Sequence, residues 1–264
     1  SGKTYLVQSK AIDNATNEEI PSSGNSFIFD NVAPSSTIVV PTNGTTLNSL
    51  LTVSGTSSDA TSTVSLVKLE IKNNTDATYW NGSAWGAGQS WVNASGTNNW
   101  TYASPSYVSG KVYIIKSSAA DSAGNTETPS SSTTFTYDNL GPTSSITYPT
   151  NGAKLSSSPI VTGNSSDATA GVSSVKVSLK NVNDTTWYNG SNFTATSEIW
   201  LDATGTNPWT YSSPALTSGK TYNLTCYNNY SSATDSVAVS VRSRPTTGGP
   251  TPVPATSIVL VTSS

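Results

Sequence analysis

The sequence repeats itself over a long and nearly constant interval. Asp30-Asn31-Val32-Ala33-Pro34 returns as Asp138-Asn139-Leu140-Gly141-Pro142, and Pro41-Thr42-Asn43-Gly44 returns as Pro149-Thr150-Asn151-Gly152, each 108 residues later. A fixed long period is typical of an array of similar domains. An interval of this length is also enough for one domain with its own core.

The repeats divide the chain into four segments. Residues 1–31 match only the last part of a repeat, residues 32–139 form a complete repeat, residues 140–244 form a divergent one, and residues 245–264 are a Pro/Thr/Gly-rich linker with a candidate donor strand. Because chain start and repeat start disagree, we expect a piece of a longer protein. The alternative is that strands of a neighbouring molecule complete residues 1–31.

The composition describes a weakly charged and chemically inert chain. Charged residues make up 10%, about a third of the residues are Ser or Thr, His and Met are absent, and the net charge is −3. Without basic clusters, neither nucleic acid nor an anionic membrane is expected as a partner. No apolar stretch approaches the roughly 18 residues of a membrane span. The one cysteine, Cys226, cannot form a disulfide within the chain.

Short alternating runs rich in Val, Ile, Thr, Tyr and Trp recur every ~8 to 12 residues, which predicts antiparallel β-sandwiches. In the complete repeat we place strands near Ser36–Val40, Leu51–Thr56, Val64–Lys72, Thr78–Trp80, Trp91–Asn93, Trp100–Tyr102, Val112–Ala119 and Thr133–Tyr137. Along one strand, Tyr113 and Ile115 share a face with Ser117. Cys226 occupies the position of Ser117 in the divergent repeat, which predicts a small core residue.

The motifs of the complete repeat resemble those of a known family. Tyr79-Trp80-Asn81-Gly82-Ser83-Ala84-Trp85, Asp121-Ser122-Ala123-Gly124-Asn125 and Phe135-Thr136-Tyr137-Asp138-Asn139 are similar to the bacterial immunoglobulin-like repeats of large secreted and cell-surface proteins. The resemblance extends from residue 1 to about residue 225. It implies an all-β fold of tandem immunoglobulin-like antiparallel β-sandwiches with short linkers, acting as spacers, adhesin stalks or filament walls. After Cys226 the divergent repeat lacks the Asp-x-Ala-Gly-Asn motif.

The residues that enzymes of the common classes need are scarce. Without His there is no Ser-His or Cys-His nucleophile system, and no Gly-rich phosphate loop follows a strand. The acidic residues are sparse and recur at junctions, which does not favour a paired-carboxylate glycosidase. We therefore expect a non-enzymatic protein that requires no cofactor.

Recurrent acidic residues mark the turns that a sandwich brings towards its two ends. They are Asp13, Asp30, Asp59, Asp121, Asp138 and Asp167. Carboxylate oxygens suit Ca²⁺, and the family resemblance implies that calcium bound between domains could stiffen the array. The alternative is that these residues only cap turns through backbone amides.

The tryptophans allow three interpretations. Trp85 and Trp91 belong to an aromatic-rich hairpin that could stack on a surface glycan. The same residues could instead fill the core or form an intersubunit contact. Candidate glycosylation sites form a separate set, Asn43, Asn81, Asn93, Asn164 and Asn189, and their sequons are only slightly more frequent than chance in so hydroxyl-rich a chain.

The end of the chain contains a segment of strong β propensity, Ile258, Val259, Leu260 and Val261, beyond a Pro-rich spacer. Such a segment pairs with a sheet edge of a neighbouring molecule, pairs locally, or begins a further domain. With the repeats, it predicts a structural protein of an extracellular filament or cell-surface adhesin stalk, whose partners are copies of itself and which β-strand addition could assemble. The alternatives are a glycan-binding module with Trp-rich hairpins and a surface-layer or cell-wall component.

Overall fold

The computed structural model describes residues 1–129, 132–228 and 235–242. Its contacts divide the chain into two compact units, Ser1–Asn139 and Leu140–Ser264. The regular elements of the described residues are all strands. Within those ranges, no helix has the length and apolar character needed to cross a membrane.

The first unit contains a hairpin and a sandwich. Its strands are β1 (Lys3–Val7), β2 (Asn25–Phe29), β3 (Ser35–Val40), β4 (Thr45–Leu47), β5 (Thr52–Ser58), β6 (Val64–Asn73), β7 (Thr78–Trp80), β8 (Trp85–Gly86), β9 (Val92–Asn93), β10 (Asn99–Ala103), β11 (Lys111–Asp121) and β12 (Ser132–Tyr137). One sheet has the order β10-β5-β3, and the other has the order β4-β12-β11-β6-β7-β8 with β9 on β6. The pairs are antiparallel except for β4 and β12, which are parallel.

Period-two alternation explains why these strands pack as two layers. Along β11, Tyr113, Ile115, Ser117 and Ala119 point inward and are buried, while the alternate residues Ile114, Lys116 and Ser118 are partly exposed. Side chains of successive strand residues lie on opposite faces of a sheet, so one face of β11 builds the core. Trp100 lies at the centre of the core and is fully buried.

Trp100 packs directly against the backbone of β5 at Gly55. A Cβ atom added to Gly55 would lie 1.9 Å from the Thr37 carbonyl oxygen and 2.2 Å from Cζ2 of Trp100. Only glycine permits this approach of ring and strand. The second unit repeats it, since a Cβ on Gly163 would lie 2.2 Å from Cζ2 of Trp209.

The second unit has the same architecture without a preceding hairpin. Its strands are β13 (Thr143–Tyr148), β14 (Ala153–Leu155), β15 (Ile160–Ser166), β16 (Val175–Asn181), β17 (Thr186–Tyr188), β18 (Phe193–Ala195), β19 (Leu201–Asp202), β20 (Trp209–Ser212), β21 (Thr221–Asn228) and β22 (Asp235–Val241). The sheets have the orders β13-β15-β20 and β14-β22-β21-β16-β17-β18, with β19 on β16. The parallel pair is β14 and β22.

Cys226 occupies a core position. Its side chain is fully buried, and the Ser144 hydroxyl donates a hydrogen bond to its Sγ at 3.3 Å. Ser36 and Ser117 make the corresponding contact at 2.8 Å in the first unit. Burial raises the pKa of the Cys226 thiol, which keeps it protonated. The residue is thus a small core side chain, as its position in the repeat predicts.

The predicted strands of the complete repeat are all present, and their ends differ from the prediction by at most two residues. Two short strands, β4 and β8, were not predicted. The predicted tail strand, Ile258 to Val261, lies outside the described residues, as does the linker that precedes it.

Candidate functional site

Asp59 follows β5 and closes a tight turn with its own backbone. Its Oδ1 accepts hydrogen bonds from the amides of Thr61, at 2.8 Å, and Ser62, at 2.7 Å. Such a turn is typical of Asp after a strand. Oδ1 is committed to the turn, whereas Oδ2 is buried and has no hydrogen-bond partner.

Asp121 ends β11 and holds the following loop. Its Oδ1 accepts from the amides of Ala123, at 2.9 Å, and Asn125, at 2.8 Å, and its Oδ2 accepts from Nδ2 of Asn125 at 2.8 Å. The side chain is among the buried polar groups of the unit. Several N–H donors on one carboxylate stabilise its charged form.

Asp30 lies at the end of the hairpin segment, and its side chain lies near those of Asp59 and Asp121. Its Oδ1 accepts from the hydroxyl of Ser1, at 2.7 Å, and from the amide of Val32, at 3.1 Å. Its Oδ2, like that of Asp59, is buried and unpartnered. The Asp30 carbonyl accepts a long hydrogen bond, 3.4 Å, from Nδ2 of Asn125, which ties the hairpin end to the Asp121 loop.

These residues form one carboxylate cluster, Asp30, Asp59 and Asp121, in which one oxygen of each lies within 4.8 Å of the others. Hydroxyl donors at Ser1 and then Ser62 lower the pKa of Asp30. Burial raises the pKa of Asp121, but the hydrogen bonds from Asn125 outweigh it and the net pKa is lowered. The surroundings of Asp30 and Asp121 therefore favour their charged forms.

The donor set fits a hard divalent cation. Ca²⁺ takes carboxylate and carbonyl oxygens and tolerates irregular geometry. Two buried carboxylate oxygens without a hydrogen-bond donor are the groups that such an ion would satisfy. Asp30, Asp59 and Asp121 are the residues that would hold it.

The other predicted calcium ligands lie elsewhere. Asp13 is exposed and repeats the Asp121 turn, accepting from the amides of Ala15 and Asn17 at 2.8 Å. Asp138 is buried and accepts from the hydroxyl of Ser109 at 2.9 Å. Asp167 caps the turn after β15. Among the described residues, only the three-member cluster brings His, Cys or acidic side chains together in this way, so the predicted set of six narrows to three.

Asp167 caps a turn but is not part of the carboxylate cluster, so it allows the contribution of the turn to stability to be tested separately. Its Oδ1 accepts from the amides of Thr169, Ala170 and Gly171 at 2.9, 2.7 and 3.0 Å, which lowers its pKa from 3.8. When folding lowers the pKa of a carboxyl group, the charged group stabilises the fold at pH values above its unfolded pKa. This stability is lost as the pH falls through the folded pKa. We expect Asp167→Asn to lower the free energy of unfolding by about 0.5 kcal/mol at neutral pH, after solvent screening. The difference between variant and parent should disappear as the pH falls below 3.8. Urea unfolding across pH measures it, and a constant gap would contradict the assignment.

Of the two hairpin tryptophans, Trp85 is the one that packs against the core. Trp85 is half-buried against the core, with its ring centroid 5.5 Å from Tyr113 and 5.7 Å from Trp80, and its Nε1 donates to the Ser106 carbonyl at 3.3 Å. Trp91 is also half-buried. The packing interpretation therefore describes Trp85, and glycan binding by Trp85 or Trp91 stays a prediction.

The candidate glycosylation sites are exposed, and they are Asn43, Asn81, Asn93, Asn164 and Asn189. The Oδ1 atoms of Asn81 and Asn189 are held by turn amides, for Asn81 from Ser83 at 2.9 Å. The Asn-Gly sequence predicted these turns, and Gly82 has a φ of 101°. Glycan attachment at any of the five stays a prediction.

Ser1, Ser62 and Val32 are members of the site that sequence reasoning did not include. Ser62 follows the recurrent Ser-Ser-Asp-Ala-Thr motif, which was the available signal. Ser1 takes part because the folded hairpin brings it near Asp30, whereas Val32 lies two residues beyond Asp30 and contributes its backbone amide.

Two sandwiches of this strand order, each with a fully buried tryptophan in its core, define tandem immunoglobulin-like domains. Residues 142–226 match the family model described as bacterial Ig domain. The resemblance to bacterial immunoglobulin-like repeats is thereby confirmed. No curated protein sequence matches the chain.

Several solved structures are similar to this chain at low identity. The fibronectin(III)-like modules of Clostridium thermocellum CbhA are 16% identical, with a TM-score of 0.34, over 79% of this chain and 95% of theirs. A mutated variant of titin domains I67–I69 is 13% identical, with a TM-score of 0.47, over 80% and 66%. A tetra-tandem repeat from the extending region of a large adhesion protein is 15% identical, with a TM-score of 0.31, over 90% and 56%.

Proposed function

We propose that this chain is a non-enzymatic structural segment of an extracellular filament or cell-surface adhesin stalk, stiffened by calcium where one repeat meets the next. The observation that carries the proposal is the carboxylate cluster. Asp30 ends the segment of residues 1–31, whereas Asp59 and Asp121 belong to the sandwich of the next repeat. A cation held by all three would couple the two segments.

The connecting segment supports this interpretation. Asp30 and Val32 are two residues apart and already share a hydrogen bond, and Pro34 is buried. Proline fixes its own φ and restricts the residue before it, so the link has few conformations. A bound Ca²⁺ would offset two of the three carboxylate charges and hold this short link against the sandwich.

The composition and family support the location. Bacterial immunoglobulin-like domains are common in surface proteins, and a hydroxyl-rich, weakly charged surface suits an exposed array. The proposed partners are further copies of the chain. The apolar segment Ile258 to Val261 is the proposed contact, by strand addition to a neighbour.

Calcium should raise the melting temperature of the protein. At a concentration about 100-fold above the dissociation constant, a ligand specific for the folded state adds about 2.7 kcal/mol, which corresponds to several degrees. Calorimetry with Ca²⁺ and with EDTA measures the shift. Asp59→Asn keeps the acceptor for the turn amides but removes a charged ligand, so we expect the calcium response to disappear.

Asp167→Asn is the matched control, because Asp167 caps the corresponding turn of the second unit outside the cluster. This variant should keep the full calcium response. An unchanged melting temperature on EDTA addition to the parent protein, or an equal loss of response in both variants, would refute the calcium site.

A further inference from the structure

The hairpin of β1 and β2 presents an apolar face whose counterpart inside the same unit is buried. Tyr5, Val7 and Phe27 are 47%, 59% and 50% exposed. Their counterparts 108 residues later are Tyr113, Ile115 and Phe135, which are 1%, 0% and 1% exposed. The same strand pair thus occurs twice, once covered and once open.

The open pair already has the geometry of the covered one. Tyr5 is paired with Phe27, and Tyr113 is paired with Phe135, in the same antiparallel register. The ring centroids are 5.4 Å apart with an interplanar angle of 22° in both pairs. The hairpin is therefore preorganised to bind a segment similar to the one that covers β11 and β12. This preorganisation lowers the entropic cost of binding.

The covered pair shows what a layer over such a strand pair contains. β6 pairs antiparallel with β11, and β4 pairs parallel with β12. Trp85 and Tyr107 supply aromatic cover, with centroids 5.5 Å from Tyr113 and 5.3 Å from Phe135. The two strands, β6 and β4, and the two aromatic residues, Trp85 and Tyr107, all come from residues 32–108, the part of the repeat that precedes β11.

A charged contact adds specificity. Lys111, the counterpart of Lys3, donates to Asp76 at 2.8 Å, and Nδ2 of Asn73 donates to the other oxygen of Asp76 at 3.0 Å. Lys220, Asp184 and Asn181 repeat this arrangement in the second unit. The layer that covers the hairpin should therefore carry an Asn-x-x-Asp turn that meets Lys3.

We propose that the hairpin face is a docking surface for one further half-repeat, a polypeptide segment of the type of residues 32–108. The sandwich's own residues 32–108 already cover β11 and β12, so neither they nor the same residues of a second copy are available. A single added strand would pair with one edge but would supply neither the second edge nor the aromatic cover. The proposal does not depend on the calcium site.

A thiol-protection experiment tests the surface. In a Cys226→Ser chain, Val7→Cys places a thiol at the counterpart of buried Ile115, and Gln8→Cys places one at the counterpart of Lys116, whose side chain is 42% exposed. Each variant is made with and without an added copy of residues 32–108 joined ahead of Ser1. The rate of reaction with a thiol reagent is measured under native conditions.

We expect the added half-repeat to slow the Val7→Cys reaction by at least about 100-fold, because only local opening then exposes the thiol, and to change the Gln8→Cys rate by a few-fold at most. An added copy that carries Ile71→Asp is the control and should give little protection, because it buries a charge in the core. Amide hydrogen exchange of β1 and β2 provides a second measurement.

Three results would overturn the proposal. The first is an unchanged Val7→Cys rate in the joined chain, and the second is equal protection by the Ile71→Asp copy. The third is protection of Val7→Cys without any added half-repeat, dependent on protein concentration and lost when residues 257–264 are deleted. That result would assign the surface to the tail of another copy.

Discussion

Replacing Gly55 by alanine should unfold the sandwich of the first unit or destabilise it by at least about 3 kcal/mol, because overpacking next to a fixed backbone cannot relax cheaply. The added methyl would lie 1.9 Å from a carbonyl oxygen of β3 and 2.2 Å from the Trp100 ring. To avoid both contacts, β5 would have to move away from its neighbour β3 and from the core. Denaturant unfolding followed by Trp fluorescence measures the loss.

Gly88→Ala is the control for this substitution. A Cβ at Gly88 meets nothing within 4 Å, so its effect should stay within about 0.5 kcal/mol. Gly163→Ala provides a replicate in the second unit, where the Cβ would lie 2.1 Å from the Ser145 carbonyl oxygen. Equal unfolding midpoints for Gly55→Ala and Gly88→Ala would show that the close approach of Trp100 to β5 is wrong.

The second large effect is expected at Tyr113. Tyr113→Ala removes a buried ring that contacts Phe135, Tyr107 and Trp85, and a hydroxyl that accepts from the Val108 amide at 2.8 Å. Truncation of a buried aromatic residue costs about 4 kcal/mol. The measurement is the free energy of unfolding from urea titration.

Tyr5→Ala is the matched control, since Tyr5 has the same sequence position in the preceding repeat but is 47% exposed. It loses one stacked partner, Phe27, so we expect a cost of no more than about 1 kcal/mol. Similar costs for the two variants would contradict the difference in burial that separates the hairpin from the sandwich.

Much of the fold could be predicted from residues that report on their own position. The alternation through Tyr113 and Ile115 identifies the buried face of β11, because side-chain direction follows from the strand period. Asn81-Gly82 identifies a turn, because the Gly82 backbone needs a positive φ. The repeat also locates Cys226 in the core, because its counterpart Ser117 shares a face with Tyr113.

Features that depend on distant pairs could not be predicted in this way. The contact of Gly55 with Trp100 joins strands that are far apart in sequence, and neither residue alone indicates the other. Recurrence suggested six acidic residues, but it does not tell which turns meet. Asp30, Asp59 and Asp121 meet because the hairpin end lies beside two sandwich turns. Asp13 instead caps an exposed turn next to the isolated bridge of Ile12 and Glu18, between β1 and β2.

The parallel strand pair in each unit has a consequence under tension. β4 lies near the beginning of the complete repeat and β12 at its end, and they pair over Thr45–Leu47; β14 and β22 pair in the same way. Pulling the two ends apart draws these strands past each other along a shared axis. The hydrogen bonds of the ladder run across that axis, so they are loaded together in shear and not opened one after another. Since the lifetime of a pulled domain follows its unfolding rate, each sandwich would resist extension by itself, whatever happens at its neighbours.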